Sequence, residues 1–430
     1  MVVSDEYTAC LNRLYRLRRF GIKLGLDVIS GLLAHLGNPQ QYYHCIHVAG
    51  TNGKGSVAAS LASLLTAAGY RTGLYTSPHL VRFNERIAID GRPIEDDEVM
   101  AAYAAVNAAP TRDREPTFFE FATAMALDAF RRQKVQWAVI ETGMGGRLDA
   151  TNIIRPEVSI ITNISLEHRA YLGATLAAIA GEKAGIIKEG VPVVSGVTQP
   201  TALAAVRKAA DIHQAPLLQL GTDFRVRRRP DGSLDYSGLR HQWHRLSLAL
   251  RGPHQYTNAA LALAACETIE PLAPRIVDAE VIRDGLQRTR WPGRLEIVRE
   301  HPTVILDGAH NLAAARNLGR YLAGEARGRP VTLVVGILDD KPFRPMLRAL
   351  LPSCHRVICT RPRIDRALPA QRLAEEARIQ GAKVMIQPTV AEAVKTAIAM
   401  AAPEEIVCVA GSLYVVGEAK EVLDTPSDMV

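Results

Sequence analysis

Lys54 and Ser56 stand two positions apart inside His47-Val48-Ala49-Gly50-Thr51-Asn52-Gly53-Lys54-Gly55-Ser56-Val57. Glycines at 50, 53 and 55 let the backbone bend until several N–H groups converge on one anion. A lysine here adds a mobile charge for terminal phosphates, and a serine hydroxyl suits Mg²⁺. Cys45, Ile46 and Val48 read as a short apolar strand ahead of the turn, and 57–68 as an alanine- and leucine-rich helix behind it. Strand, glycine-rich turn and helix predict a phosphate site with the positive end of the helix dipole facing the ligand. The spelling is not the strict Walker A pattern, because Gly55 separates Lys54 from Ser56 and Val48 replaces the first glycine. A ligand-free turn is the plain alternative, but it gives Lys54 and Ser56 no packing reason to stand at a helix start.

Further candidates lie where other apolar runs stop. Trp137-Ala138-Val139-Ile140 ends at Glu141, and the glycine-rich stretch 142–152 follows. Mg²⁺ takes oxygen ligands, commonly one or two carboxylates plus substrate phosphates, so Glu141 is the candidate protein carboxylate. A solvated strand-end glutamate is the alternative. The run 158–162 leads into Asn163-Ile164-Ser165-Leu166-Glu167-His168. On residue types alone, His168 reads as structural and Lys183 as a surface lysine. Asp307-Gly308-Ala309-His310-Asn311 reads as an N-cap turn before a helix. The stretch 77–87 is too polar for a core element and too rich in functional side chains for a spacer.

These groups need a scaffold, and the hydrophobic rhythm supplies one. Helices are expected over 7–20, up to 37–39, and over 95–108 and 117–134, with a strand at 72–76. Buried strands alternating with helices argue for a parallel sheet covered on both faces. The candidate residues follow strand ends, the edge where such sheets bind ligands. Residues 223–250 read as a small antiparallel appendage with a hairpin at Asp231-Gly232, and a helix over 257–268 opens at Thr257-Asn258. Arg290-Trp291-Pro292-Gly293-Arg294 reads as a hinge. After it, strands near 303–307, 331–336, 355–359, 383–386 and 405–410 alternate with helices near 310–324, 342–350, 369–380 and 389–401. The expectation is an α/β chain. An N-terminal P-loop ATPase-type domain spans 1–289, the hinge 290–296, and a Rossmann-like domain without GxGxxG spans 297–430.

Composition sets limits. At 430 residues the chain exceeds one ordinary core, and 48% hydrophobic residues supply two. The net charge of +7 suits anionic small molecules. Arg225-Val226-Arg227-Arg228-Arg229 is the densest basic run and lies beside a Pro230-Asp231-Gly232 turn, so it reads as a solvated hairpin end, not a nucleic-acid stripe. Six cysteines without CxxC spacing read as free, mostly buried thiols in a reducing compartment. Neither an export signal in Met1 to Tyr7 nor a bilayer-length apolar run is visible, so a cytoplasmic protein away from membranes is expected.

Gly-Thr-Asn-Gly-Lys-Gly-Ser resembles the loop of the Mur-ligase superfamily, in its folylpolyglutamate synthase and dihydrofolate synthase branch. The likeness extends along the chain through Gly-Ile-Lys, Gly-Asn-Pro, Ser77-Pro78-His79-Leu80, Asn84-Glu85-Arg86-Ile87, Phe118-Phe119-Glu120 and Glu141-Thr142-Gly143. Later it continues in His254-Gln255-Tyr256-Thr257-Asn258, Trp291-Pro292-Gly293-Arg294, Asp307-Gly308-Ala309-His310-Asn311 and Gly-Ser412-Leu413-Tyr414. The resemblance implies that Gly50, Thr51, Asn52, Gly53, Lys54, Gly55 and Ser56 hold ATP together with Asn258, Arg294 and Asp307. It implies two Mg²⁺ ions on Ser56, Glu141, His168 and a carbamylated Lys183, and places His310 beside Lys54 and Lys183 in the chemistry. Ser77, Pro78, His79, Arg82, Phe83 and Arg86 correspond to a folate-binding loop, where guanidinium groups suit a planar carboxylate. Ser412 and Tyr414 correspond to the border of a glutamate site.

A carboxylate resists amine attack until a better leaving group replaces its oxygen. Phosphoryl transfer from ATP supplies one, as an acyl phosphate that glutamate's amine displaces. The implied acceptors are dihydropteroate, reduced folates, or both, handled by a monomer whose second domain closes over the nucleotide. Two rivals stay open: a ligase acting on a UDP-muramoyl peptide, and a P-loop ATPase without ligase chemistry. Only some forty residues precede the phosphate strand, which disfavours the first, and the second leaves Glu141, His168 and Lys183 unexplained.

Overall fold

The computed structural model of the chain describes residues 5–21, 23–110, 114–326 and 328–424. Residues 1–4 and Ile22, part of the stretches read above for an export signal and for Gly-Ile-Lys, lie outside them. Internal contacts divide the chain into two units: Met1–Ala249 with Gln255–Arg290, and Leu250–His254 with Trp291–Val430. The short segment Leu250–His254 thus groups with the second unit and not with the first.

The first unit is built on β1 (His44–Ala49), β2 (Thr72–Tyr75), β3 (Ile87–Ile89), β4 (Arg92–Pro93), β5 (Trp137–Glu141), β6 (Val158–Ile161), β7 (Val193–Ser195) and β8 (Leu217–Gln219). They form one sheet in the order β4-β3-β2-β5-β1-β6-β7-β8. Strands β2, β5, β1, β6, β7 and β8 run parallel, and β3 and β4 add an antiparallel edge. Because β1 is flanked on both sides and covered on both faces, its residues from Cys45 to Ala49 are all buried. His47 sits among them, its Nε2 2.9 Å from Thr151 Oγ1. Burial, with Lys188 nearby, holds this imidazole neutral down to about pH 3.

Two helices locate the site. Lys54–Ala67 follows β1 directly, and its small residues allow burial on nearly every side. Phe118–Arg132 starts where Thr117 and Glu120 form a capping box, and Arg114 grips the same Glu120 carboxylate at 2.7 and 2.8 Å. The appendage is a three-stranded antiparallel sheet of β9 (Arg225–Arg228), β10 (Leu234–Ser237) and β11 (Gln242–Leu246). The basic run lies on exposed β9, with Arg227 and Arg229 both paired to Asp235.

The second unit carries β12 (Glu296–Glu300), β13 (Thr303–Leu306), β14 (Val331–Val335), β15 (Arg356–Cys359), β16 (Val384–Ile386) and β17 (Ile406–Ala410), ordered β12-β13-β17-β14-β15-β16. All neighbours are parallel except β12 against β13. The six cysteines are free, five of them buried. Among the described residues, no helix is long and apolar enough to cross a membrane.

Local differences from the sequence expectation have physical causes. The opening helix stops at Arg16 and tightens into a 3₁₀ turn over Leu17–Phe20. The helix expected from 257 begins at His254, so Asn258 lies inside it rather than at its start. Strands β7, β8 and β12 and the helix Leu413–Asp424 carry no distinct signal of their own, being short or only half-buried. The polar stretch 77–87 is partly core: Phe83, Asn84 and Arg86 are buried in a 3₁₀ turn, Phe83–Arg86.

Candidate active site

At the carboxyl edge of the first sheet the chain leaves β1 through Gly50, at φ 147°, and enters the next helix through Gly53, at φ 84°. Neither position tolerates a side chain: a Cβ at Gly50 would strike Thr162 Oγ1, and one at Gly53 would strike Asn258 Oδ1. The turn is held from the neighbouring β6 end. Thr51 N–H donates to Asn163 O at 2.8 Å, Asn52 N–H to Asn163 Oδ1 at 3.0 Å, and Thr162 Oγ1 to Asn52 O at 2.7 Å. Glycine conformation and this bracing together fix the shape of the loop before any ligand arrives.

Three charged groups converge on it. Lys54 Nζ lies 3.7 Å from Glu141 Oε1, at the tip of the adjacent β5. Glu141 also receives the backbone N–H of Ser77 at 3.3 Å, which ties the β2 exit to the same spot. Behind the loop, Lys183 Nζ donates to Gly50 O at 2.8 Å. This corrects the reading of Lys183 as a surface residue: it is 5% exposed. Burial first, and the Lys54 charge second, bring its pKa down to about 7, against opposing pulls from Glu167 and Asp149. Ser56 is buried at the helix start and accepts a hydrogen bond from Gln255 Nε2 at 3.3 Å. Gln255 Oε1 in turn accepts from Asn258 at 2.8 Å.

His168 is exposed at the start of the short helix Arg169–Leu172, its Nε2 4.0 Å from Glu167 Oε1. Among the described residues no group of three or more His, Cys, Asp or Glu is arranged to hold a metal ion. A serine hydroxyl and one carboxylate at a phosphate loop nevertheless fit Mg²⁺, which completes its shell with water and phosphate oxygens.

The loop 77–86 divides. Pro78 is exposed and Ser77 half-buried, facing Glu141. His79 Nδ1 accepts from Arg86 Nε at 2.8 Å, and burial with Arg86 and Arg18 nearby brings its pKa down to about 3. Two expected substrate contacts are otherwise engaged. Arg82 pairs with Asp96 at 2.5 Å, and Phe83 is 1% exposed, packed edge-on against Phe118 and His79. Phe83 therefore supports the loop from beneath.

In the second unit, β13 and β17 are parallel neighbours, so 307–310 and 411–414 leave the sheet at one edge. Asp307 is buried and its carboxylate accepts the N–H of Leu295 and of Ala309, both at 3.0 Å. Burial raises its pKa, against the Arg294 charge. The helix Leu312–Ala326 is capped by Asn311, the last residue of the expected N-cap turn, which accepts from Ala314 N–H at 2.9 Å. His310 Nδ1 donates to Gly308 O at 2.9 Å, which leaves Nε2 pointing away from that contact. Arg294 packs where a side chain at Gly308 would stand. Ser412 is buried and its Oγ accepts from Val415 N–H at 3.2 Å, while Tyr414 is 39% exposed.

Sequence reading missed Gln255 and Asp149 as parts of the site. Gln255 had only its place beside Asn258 to mark it. Asp149 is buried within the glycine-rich loop, where it accepts from Met144 N–H and from Thr151.

The Mur ligase middle domain matches residues 48–266, and the Mur ligase glutamate ligase domain residues 293–413. A Bacillus subtilis dihydrofolate synthase/folylpolyglutamate synthase is 37% identical over 413 residues, covering 94% of this chain and 96% of the relative. The solved structure of Escherichia coli FolC in complex with DHPP and ADP superposes with a TM-score of 0.89 at 33% identity, over 96% of this chain and 97% of that one. A Yersinia pestis bifunctional folylpolyglutamate synthase/dihydrofolate synthase complexed with AMPPNP and a Mn ion gives 0.88 at 33% identity, over 97% and 98%. With its phosphate loop, its two matched domains and relatives of nearly equal length, the chain belongs to the Mur-ligase superfamily, in the folylpolyglutamate synthase/dihydrofolate synthase branch.

Proposed function

We propose that this chain joins L-glutamate to dihydropteroate and to the γ-carboxylate of reduced folate glutamates, using ATP and releasing ADP and phosphate. The observation that carries the reading is the Lys54–Glu141 pair across the mouth of the phosphate loop, with Lys183 buried behind it. Backbone N–H groups at the helix start, from Lys54 to Ser56, and the Lys54 side chain hold the β- and γ-phosphates, and Asn258 lies against the loop at Gly53. Ser56 and Glu141 would hold a divalent cation. When bound, Mg²⁺ supplies charge neutralisation between the triphosphate and the acceptor carboxylate. Lys54 orients the γ-phosphoryl group for in-line attack by that carboxylate, giving the acyl phosphate. Glutamate's amine then forms the amide, and phosphate leaves with one former carboxylate oxygen.

A second cation on His168 and a carbamylated Lys183 belong to the same proposal. A neutral lysine amine adds CO₂ at nitrogen and releases one proton, giving an anionic carbamate; the low pKa of Lys183 supplies that neutral amine. In the second unit Arg294, Asp307 and His310 are assigned to the nucleotide, and Ser412 and Tyr414 to glutamate. We further assign the protein to the cytoplasm as a monomer working on small molecules. Phosphate release measured with dihydropteroate, tetrahydrofolate or a UDP-muramoyl peptide, each with glutamate or alanine, tests the reading. Release dependent on a pteridine acceptor and glutamate is expected. Release indifferent to acceptor, or dependent on the muramoyl peptide, would overturn it.

A further inference from the structure

Beyond the loop that carries Ser77, the first unit gathers positive charge around one aromatic ring. Arg18 Cζ lies 4.1 Å over the Tyr15 ring and 5.0 Å from the centre of the Phe118 ring. Arg86 Cζ stands 5.0 Å from the same Phe118 ring. His79 completes the group, with its ring 6.3 Å from that of Tyr15 and its Nδ1 taken by Arg86. Two guanidinium groups, each 5.0 Å from one ring centre, give this corner a positive potential that attracts an anion. Glu85, on the same loop, has its carboxylate engaged by the N–H groups of Leu80, Val81 and Arg82. Among the described residues no acidic side chain pairs with Arg18, which is exposed on the 3₁₀ turn after the first helix.

The position of the cluster along the substrate path decides which anion it meets. The acceptor's reacting carboxylate belongs at Glu141, which Ser77 N–H touches. His79 lies two residues further, at most about 7 Å of chain away. Groups at the cluster therefore meet parts of the acceptor behind the reacting carboxylate. Dihydropteroate has no second carboxylate there, whereas each γ-linked glutamate adds an α-carboxylate behind the reacting one. We propose that Arg18, presented by Tyr15 and Phe118 beside Arg86, binds an α-carboxylate of the glutamate tail and so favours glutamylated acceptors over dihydropteroate.

This rests on the acceptor reading above, and steady-state kinetics separates the two. Wild type, Arg18→Gln and Arg18→Lys are each assayed with dihydropteroate, tetrahydrofolate and its triglutamate, and a thermal melt verifies that the exposed substitutions leave the fold intact. Arg18→Gln is expected to raise KM for the triglutamate about tenfold, the size of one charge-assisted contact, and less for tetrahydrofolate. KM for dihydropteroate is expected to move less than about twofold, kcat to hold throughout, and Arg18→Lys, which keeps the charge but not the planar fork stacked on Tyr15, to recover only part of the loss. An equal rise in KM with all three acceptors, or none with any, overturns the inference while the ligase reading stands. A wild-type enzyme that turns over none of the three overturns both.

Discussion

At the carboxyl edge of the first sheet Lys54 and Glu141 hold their charges 3.7 Å apart at the mouth of a loop braced from elsewhere, whereas at the same edge of the second sheet Asp307 turns its carboxylate back onto Leu295 and Ala309. The loop after β1 is braced by Thr162 and Asn163, just beyond the end of β6. The turn after β13 is held by its own acid. A carboxylate already accepting two backbone N–H groups contributes mainly to the fold, and its removal leaves those donors unsatisfied. Substitution at Lys54 should thus cost activity with little stability, whereas substitution at Asp307 should cost stability as well as its contribution at the nucleotide.

The largest effect separating the two edges is expected at Lys54. Lys54→Ala should lower glutamate-dependent phosphate release by about 10³-fold, comparable to losing a preorganised donor, with the melting temperature unchanged. A rate near that of wild type would remove the phosphate role. Lys183→Ala should lower the rate by about 10²-fold, and ¹³C-bicarbonate NMR should show a carbamate signal in wild type that the variant lacks. Full activity in Lys183→Ala would retire the carbamate assignment.

Asp307→Ala sharpens the comparison from the other side. It should destabilise the second unit by about 1–3 kcal/mol in urea unfolding, because two buried N–H groups lose their acceptor. A variant as stable as wild type would dissolve the contrast. The smallest effect over a single pH unit concerns three histidines shielded from solvent, of which His47 is fully buried. His47 and His79 in the first unit are held to about 3, and His254 in the second to about 4, all below the ordinary 6.5. Between those values the unfolded chain binds protons that the folded chain refuses, so stability present above pH 6.5 is lost as pH falls. Each such group contributes a slope of up to about 1.4 kcal/mol per pH unit. Calorimetry of His47→Gln/His79→Gln between pH 6.5 and 4.5 should show a shallower acid loss in the first unit alone.

The two edges also differ in how far they could be read from residue order. The phosphate loop was legible because strand, turn, lysine and helix lie within a dozen consecutive positions, and local spacing determines that shape. Glu141 was legible as the end of an apolar run. Lys183 was not, since what buries it is the carbonyl of Gly50, far away in sequence and supplied by the β1 exit. Gln255 and Asn258 depend likewise on a helix whose start touches the loop only after folding. In the second unit the strand–helix alternation predicted β13 to β17 and residue types marked 307–311 as an N-cap turn, but which of its residues is the cap, Asn311, and where the Asp307 carboxylate turns emerge only in the fold. For Arg82, the type of side chain suggested a substrate contact, and only the fold reveals Asp96 across from it.

The central claim is that the acceptor's carboxylate is activated by phosphoryl transfer from ATP held at 50–56. Acceptor labelled with ¹⁸O in both carboxylate oxygens tests it most directly, with the released phosphate read by mass spectrometry. The account predicts one ¹⁸O in each phosphate released during glutamate-dependent turnover. Phosphate carrying no label, its new oxygen drawn instead from water, would contradict it.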